Sequence, residues 1–347
     1  MRLLKYSPLL LVPVAVGLEL AHAPAALVFL ASAGAIVPLA HLMGLATEEL
    51  AARTGPTFGG LMNATLGNAA ELIIGIFALR AGLIELVKAS LTGSIIGNLL
   101  LILGLSLFVG GLKHQTQSFN RQAAGMNVAL LALAAVGLVV PALFDFTHPR
   151  GDAVVLEHLS EIVAVVLLAV YLLSLLFSLK THKELFRPEG AREPAKWPLR
   201  TAVVALVLST ALVAWLSEIL VGVTEETIVA LGVSEFFLGV IIIPIVGNAA
   251  EHGAAVMMAA KNKMDLSFAI AVGSSTQVAL FVAPLLVFIS LLVGHPMDLA
   301  FTSFEVTAVA LGVGVVTVIS LDGESNWLEG VQLLAVYGIL AAAFFFF

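Results

Sequence analysis

The chain has 347 residues, of which 60% are hydrophobic and 11% charged, against about 45–50% and 25% in soluble domains. This composition excludes a soluble enzyme and a disordered chain, and a net charge of −7 removes the electrostatic basis for binding nucleic acid. There is no cysteine, so disulfides, thiolate metal sites and a cysteine nucleophile are excluded too.

A membrane-crossing helix needs about 20 apolar residues. Charge-free runs such as 89–112, 122–144 and 266–297 reach that length. Runs this long and uniformly apolar suit helices, not barrel strands. In chain order the pattern predicts eleven spans, at about 7–21, 24–46, 58–79, 88–110, 121–143, 157–179, 200–222, 235–260, 266–293, 299–320 and 328–347. The first is short and carries Pro8 and Pro13, and its apolar pattern runs directly into the second, which argues against a cleaved signal. The expected fold class is an all-α polytopic membrane protein with no sizeable extramembrane domain.

Lysine and arginine set the orientation. With the N-terminus in the cytoplasm, thirteen of the 16 fall on inner segments, leaving Arg80, Lys88 and Arg150 for outer loops. The C-terminus then lies outside. One long polar stretch, Lys180–Arg200, carries Pro188, Gly190, Pro194 and Pro198 and reads as a cytoplasmic linker between two similar halves.

The halves share a motif. Gly67-Asn68-Ala69-Ala70-Glu71 recurs as Gly247-Asn248-Ala249-Ala250-Glu251, an offset of 180. At the same offset Gly93-Ser94 matches Gly273-Ser274 and Gly59 matches Gly239, while Thr47-Glu48-Glu49 resembles Thr224-Glu225-Glu226. Close helix packing accounts for repeated glycine and alanine, but not for the repeated Asn and Glu. The copies fall on the third and eighth predicted spans, so the halves cross the membrane in opposite directions. Inverted-topology repeats are a transporter device, because one fold inverted gives two nearly equivalent states open to either side.

Asn68 and Asn248 fall near the middle of their spans, and each Glu follows on the same helix face about 4.5 Å further along. An ionised carboxylate at that depth costs several kcal/mol unless compensated. A lone Glu there would as readily be a neutral, hydrogen-bonded packing residue. Two related by a repeat point to function. Paired oxygen ligands without Cys or a His cluster suit a hard cation, and two carboxylates match one divalent ion such as calcium. Asn68 and Asn248 can add amide oxygens or satisfy freed backbone groups. Gly67, Gly247 and Pro244 are expected to weaken their helices ahead of the acids, with Pro244 exposing a carbonyl near residue 240. A site that is costly to leave empty and charged is filled by metal or by protons, which is the basis of exchange. His252, next to Glu251, could titrate or simply hydrogen-bond. Ser94 and Asn98 share one helix face, as do Ser274 and Gln277. Their bland reading is interhelical bonding, and their functional reading is contact with the ion or its ligands. Glu48, Glu49, Glu225 and Glu226 read as solvated helix ends, Glu161 as interfacial, and Glu218 and Glu305 as candidates for lining a pathway.

The two Gly-Asn-Ala-Ala-Glu copies, the second followed by His252, resemble the signature repeats of the calcium/proton exchanger family within the calcium/cation antiporter superfamily. Asn63-Ala64-Thr65-Leu66, Asn98-Leu99-Leu100, Ser274-Ser275-Thr276-Gln277 and the run from Tyr171 to His182 extend the likeness over nearly the whole chain. The resemblance implies one plus five plus five helices: a peripheral first helix (1–22), a first repeat (23–180), a cytoplasmic linker (181–199) and a second repeat (200–347). It also implies export of cytosolic Ca²⁺ against entering H⁺, with Glu71 and Glu251 as the essential ion-binding acids and no cofactor. The family's eukaryotic members often carry an acidic helix at the linker. Here the linker is basic, and the short chain suggests a prokaryotic plasma membrane protein. A homo-oligomer is compatible with the sequence.

Sodium/calcium exchange on the same scaffold is the nearest alternative. Ala69, Ala70, Ala249 and Ala250 stand where hydroxyl residues would help bind sodium, which favours protons. A cation channel is less consistent with buried acids in inverted halves. An intramembrane enzyme is disfavoured, because Glu251-His252 stands without a His-x-x-x-His, Ser–Lys or paired-Asp pattern.

Overall fold

The computed structural model describes residues 7–54, 56–148, 153–185 and 195–346. The expected linker residues 186–194 and the outer-loop Arg150 lie outside the described residues. The chain is almost entirely helical: α1 Leu11–Leu20, α2 Ala25–Thr54, α3 Pro56–Leu66, α4 Ala69–Arg80, α5 Ile84–Lys113, α6 Arg121–Thr147, α7 Ala153–Thr181, α8 Leu199–Gly222, α9 Thr224–Leu231, α10 235–260, α11 Met264–Val293, α12 Ser303–Ile319 and α13 Trp327–Phe346. Two-residue strands β1 Gln117–Ser118 and β2 Glu324–Ser325 pair antiparallel.

All eleven predicted segments are helical. Among the described residues, seven helices are each long and apolar enough to cross a membrane, or eight if α9 and the start of α10, bent by 113°, form one span. The lengths alone therefore fall short of eleven crossings. The third predicted span is a correction: it is two helices, α3 and α4, separated at Gly67-Asn68. The apolar pattern runs through that break, which is why periodicity did not show it.

The spans fall into an inner and an outer set. The apolar windows of α5 and α11 are 72% and 56% buried, against 17% for α7. Outer helices present residues such as Ile162, Leu172, Leu173, Val204 and Leu208 on the surface, an apolar belt suited to lipid. The two buried helices are themselves equivalent: Ile84–Lys113 maps onto Met264–Val293 at the repeat offset. Each contains a π-helical turn, at Gly97–Ile102 and at Val278–Val282, and such turns recur at functional sites. α2 packs along α8, the first long helix of each half against its counterpart. α5 approaches α10 so closely that a Cβ on Gly93 would lie 2.0 Å from the Val240 carbonyl oxygen.

Lys88 is a second correction. It sits inside α5, 5% exposed, with its ammonium 2.8 Å from Asp298 Oδ1. It is a packed, paired charge and not an outer-loop residue. A buried ion pair of this kind is invisible to a count of basic residues along the chain.

Candidate ion-binding site

Glu71 lies in the first turn of α4, directly after the break. A helix start carries unpaired N–H groups that favour negative charge. Asn68 occupies the cap position but makes no side-chain cap bond. Its side chain instead crosses to α11, donating to Gln277 Oε1 (2.6 Å) and accepting from Ser274 Oγ (3.1 Å). Inter-repeat contact thus replaces the local cap.

The second copy is built differently. α10 runs unbroken through Gly247-Asn248, contrary to the weakening expected there. Pro244 lacks an N–H, and a π-helical turn at Leu238–Ile242 just ahead of it accommodates the lost bond. The Val240 carbonyl, expected to face an ion, is instead covered by Gly93 of α5. Asn248 Nδ2 returns to the Pro244 carbonyl at 3.0 Å and also reaches Ser94 Oγ at 3.2 Å.

The two acids face each other's motifs. A Cβ on Gly247 would lie 2.8 Å from Glu71 Cγ, and one on Gly67 would lie 3.4 Å from Glu251 Oε1. Each glutamate therefore rests over the glycine of the other copy: a larger residue at 247 would displace Glu71, while one at 67 would just touch Glu251 and would press on the Asn63 carbonyl oxygen at 2.8 Å. Neither points into the lipid belt. Ser94 Oγ donates to Glu71 Oε1 at 2.9 Å, and Ser274 neighbours Glu251. Glu251 Oε2 is sealed from solvent with no hydrogen-bond partner.

Asn98, in the π-turn of α5, joins the halves. Its amide donates to Ser274 Oγ (3.1 Å) and Asn248 Oδ1 (3.4 Å), and its oxygen meets His252 Nε2 at 3.2 Å. The bonds follow the repeat: Asn248 to Ser94 is matched by Ser274 to Asn68 at the offset of 180. All nine residues singled out in the sequence (Glu71, Glu251, Asn68, Asn248, Asn98, Gln277, Ser94, Ser274 and His252) meet in one place. A cavity beside Glu71 is lined by Ser90, Ser94, Ile243, Pro244 and Leu286 among others. Ser90 was not singled out, although it lies one turn before Ser94 on the same face. Among the described residues no group of three or more His, Cys, Asp or Glu could hold a metal ion. The donors here are two carboxylates with amide and hydroxyl oxygens, a set that suits a hard cation.

Residues 24–180 and 201–346 match the model of the sodium/calcium exchanger protein family. The chain belongs to that family. The match agrees with the resemblance read from the repeated motif, and its two segments flank the linker. A Ca(2+)/H(+) antiporter of Synechocystis sp. is 49% identical, with 92% of this chain and 91% of that protein covered. The Ca(2+)/H(+) antiporter ChaA of Bacillus subtilis is 46% identical, covering 96% of each. The solved structure of native YfkE superposes with a TM-score of 0.85 at 43% identity, over 97% of each chain. The exchanger fold is thus that of an integral, multi-pass membrane protein.

The remaining acids have other duties. Glu305, expected along a pathway, is fully buried in a capping box: Oε2 accepts from the Thr302 N–H and hydroxyl, both at 2.9 Å, and Oε1 from Thr92 at 3.1 Å. Glu49 accepts from the N–H groups of Lys196 (2.7 Å) and Trp197 (2.9 Å), holding the exit of the linker against α2. Glu218 is exposed on α8.

Proposed function

We propose that this protein is a secondary antiporter that exchanges cytosolic Ca²⁺ for external H⁺ by alternating access, with Glu71 and Glu251 as the shared site near the membrane midplane. The observation that carries the reading is the reciprocal seating of each acid over the other motif's glycine. Two carboxylates from opposed halves supply the charge to neutralise one Ca²⁺. Asn68, Asn248, Asn98, Ser94, Ser274 and Gln277 supply oxygens or hold the acids in place. Calcium needs 6–8 oxygen ligands, some of them water, and this ring offers enough without a third acid.

In this mechanism the empty, doubly charged site is the costly state. Calcium arriving from the cytoplasm, or protons from outside, neutralise the carboxylates, and only an occupied site reorients. His252, bonded to Asn98, couples the network to the second motif. The relatives' names, Ca(2+)/H(+) antiporter, support the choice of ions. The proposed setting is a prokaryotic plasma membrane with a cytoplasmic N-terminus, the first helix peripheral and the two five-helix repeats on either side of the linker.

The test is calcium uptake by purified protein in sealed vesicles, driven separately by a pH gradient and by a sodium gradient. Uptake driven by pH, with protons moving in fixed proportion to calcium, supports exchange. Uptake driven only by sodium identifies sodium/calcium exchange, and calcium flux without proton movement identifies a channel.

A further inference from the structure

The small cavity beside Glu71 has a lining that the ring of ion-site contacts does not account for. Its polar side chains are Glu71, Ser94 and, one turn before Ser94 on α5, Ser90. Glu251 does not line it. The rest of the wall is apolar and includes Ile243 and Pro244 of α10 with Val278 and Leu286 of α11. That wall is firmly backed. Val278 is fully buried, and Leu286 packs so closely on α4 that a Cβ on Gly75 would lie 2.9 Å from it.

The hydrogen bonds already made decide what such a space can take. Ser90 Oγ donates to the Val87 carbonyl at 2.8 Å, and Ser94 Oγ donates to Glu71 Oε1 at 2.9 Å. Both hydroxyl hydrogens are thus committed, and an ionised carboxylate has none. Pro244 has no N–H to offer. The cavity therefore presents acceptors only, so its occupant must bring hydrogens or positive charge. There is room for about one water molecule. A bare calcium ion needs 6–8 oxygen ligands and would find only two hydroxyls and one carboxylate. A water needs 2–4 polar partners, and its two hydrogens suit two acceptors. The other repeat supplies a contrast. Ile270 stands at the position equivalent to Ser90, so the second half lacks this hydroxyl, and Glu251 Oε2 is sealed without a hydrogen-bond partner.

We infer that this cavity is a binding site for one water molecule, which donates one hydrogen to Ser90 Oγ and the other to the Glu71 carboxylate. Ser90 is then a positioning residue that braces Glu71 through the water, while Ser94 holds it directly. A water bridging two protein groups is nearly as favourable as a direct hydrogen bond. The two acids are thus held differently although their motifs are the same: Glu71 has a direct and a bridged hydroxyl, and Glu251 keeps one oxygen unbonded. The inference rests on the reading of Glu71 as an ion-binding acid.

The test compares Ser90→Ala, which keeps the space and removes the acceptor, with Ser90→Val, which fills the space. X-ray radiolysis of a bound water generates hydroxyl radicals that oxidise the side chains beside it. Ile243, Pro244 and Leu286 should be labelled in the parent protein and should lose that labelling in Ser90→Val. The Kd for calcium of the purified protein should rise about threefold to tenfold in both variants, the worth of one hydrogen bond. Tm of Ser90→Val should hold or rise, because a cavity is filled; a purely structural role would move affinity and Tm together. The inference is overturned if the parent is not labelled at these positions, if Ser90→Val is labelled as the parent is, or if both variants bind calcium as the parent does. Parent labelling that vanishes when Na⁺ replaces choline marks a cation site and overturns it too. Calcium-linked proton movement in sealed vesicles keeps the two readings apart. Unmoved labelling in protein that exchanges overturns the water site alone, while the expected labelling and affinity changes in protein that does not exchange overturn the exchange reading alone.

Discussion

Gly247→Ala isolates the seating of Glu71 from the stability of the helix that seats it. The added methyl carbon would stand 2.8 Å from Glu71 Cγ and 3.8 Å from Cδ. Ordinary contact begins near 3.4 Å, so the glutamate must retreat by about 0.6 Å. A displacement of about 1 Å at a reacting group costs about a hundredfold in rate, so a retreat of this size predicts a loss of about tenfold in kcat/KM for calcium. Alanine in place of glycine inside a helix gains about 1 kcal/mol from backbone propensity, against about 1–3 kcal/mol for overpacking. Tm should therefore shift by only a few degrees while transport falls. Gly253→Ala is the matched control on the same helix, because nothing lies within 4 Å of its added methyl. It should transport normally. The assay is initial-rate calcium uptake into vesicles under a fixed pH gradient, with Tm measured on the same preparations. Equal kcat/KM in Gly247→Ala and Gly253→Ala would refute the claim that Glu71 works from its seat on the second motif.

Three further outcomes are expected. Calcium binding by the purified protein should weaken as pH falls, because each proton taken by a carboxylate removes charge that the divalent ion needs; an affinity independent of pH would count against a shared site. Asn98→Ala should lower both transport and stability, the latter by about 1–3 kcal/mol, since it strips buried partners from Asn248, Ser274 and His252. Calcium uptake and denaturant midpoints on that variant check both effects. His252→Gln, which can still bond Asn98, should retain most exchange while His252→Leu loses it. Equal loss in both would instead assign His252 a proton-carrying role.

Much of this site was legible because its signals repeat. Asn and Glu in the two motifs, and Ser94 and Ser274 downstream, share one offset, and inverted halves bring equal offsets face to face. What periodicity could not show was how each copy is built. Gly67-Asn68 breaks its helix and Gly247-Asn248 does not, because Pro244 shifts the irregularity into a π-turn about two turns earlier. Both segments look equally apolar along the chain. The role of Glu305 was within reach, since Thr302-Ser303-Phe304-Glu305 has the spacing of a capping box. The burial of Lys88 was not, because its partner Asp298 is far along the chain and meets it only when the halves close on each other.

The most direct measurement is proton-gradient-driven ⁴⁵Ca²⁺ uptake by purified Glu71→Gln and Glu251→Gln, each reconstituted in sealed vesicles and verified as folded. Glutamine keeps the shape and the hydrogen-bonding oxygen but can neither carry the charge nor take up the proton. Loss of uptake in both variants to the level of protein-free vesicles is the predicted result. Near-normal uptake in either one would contradict a site made jointly by the two acids.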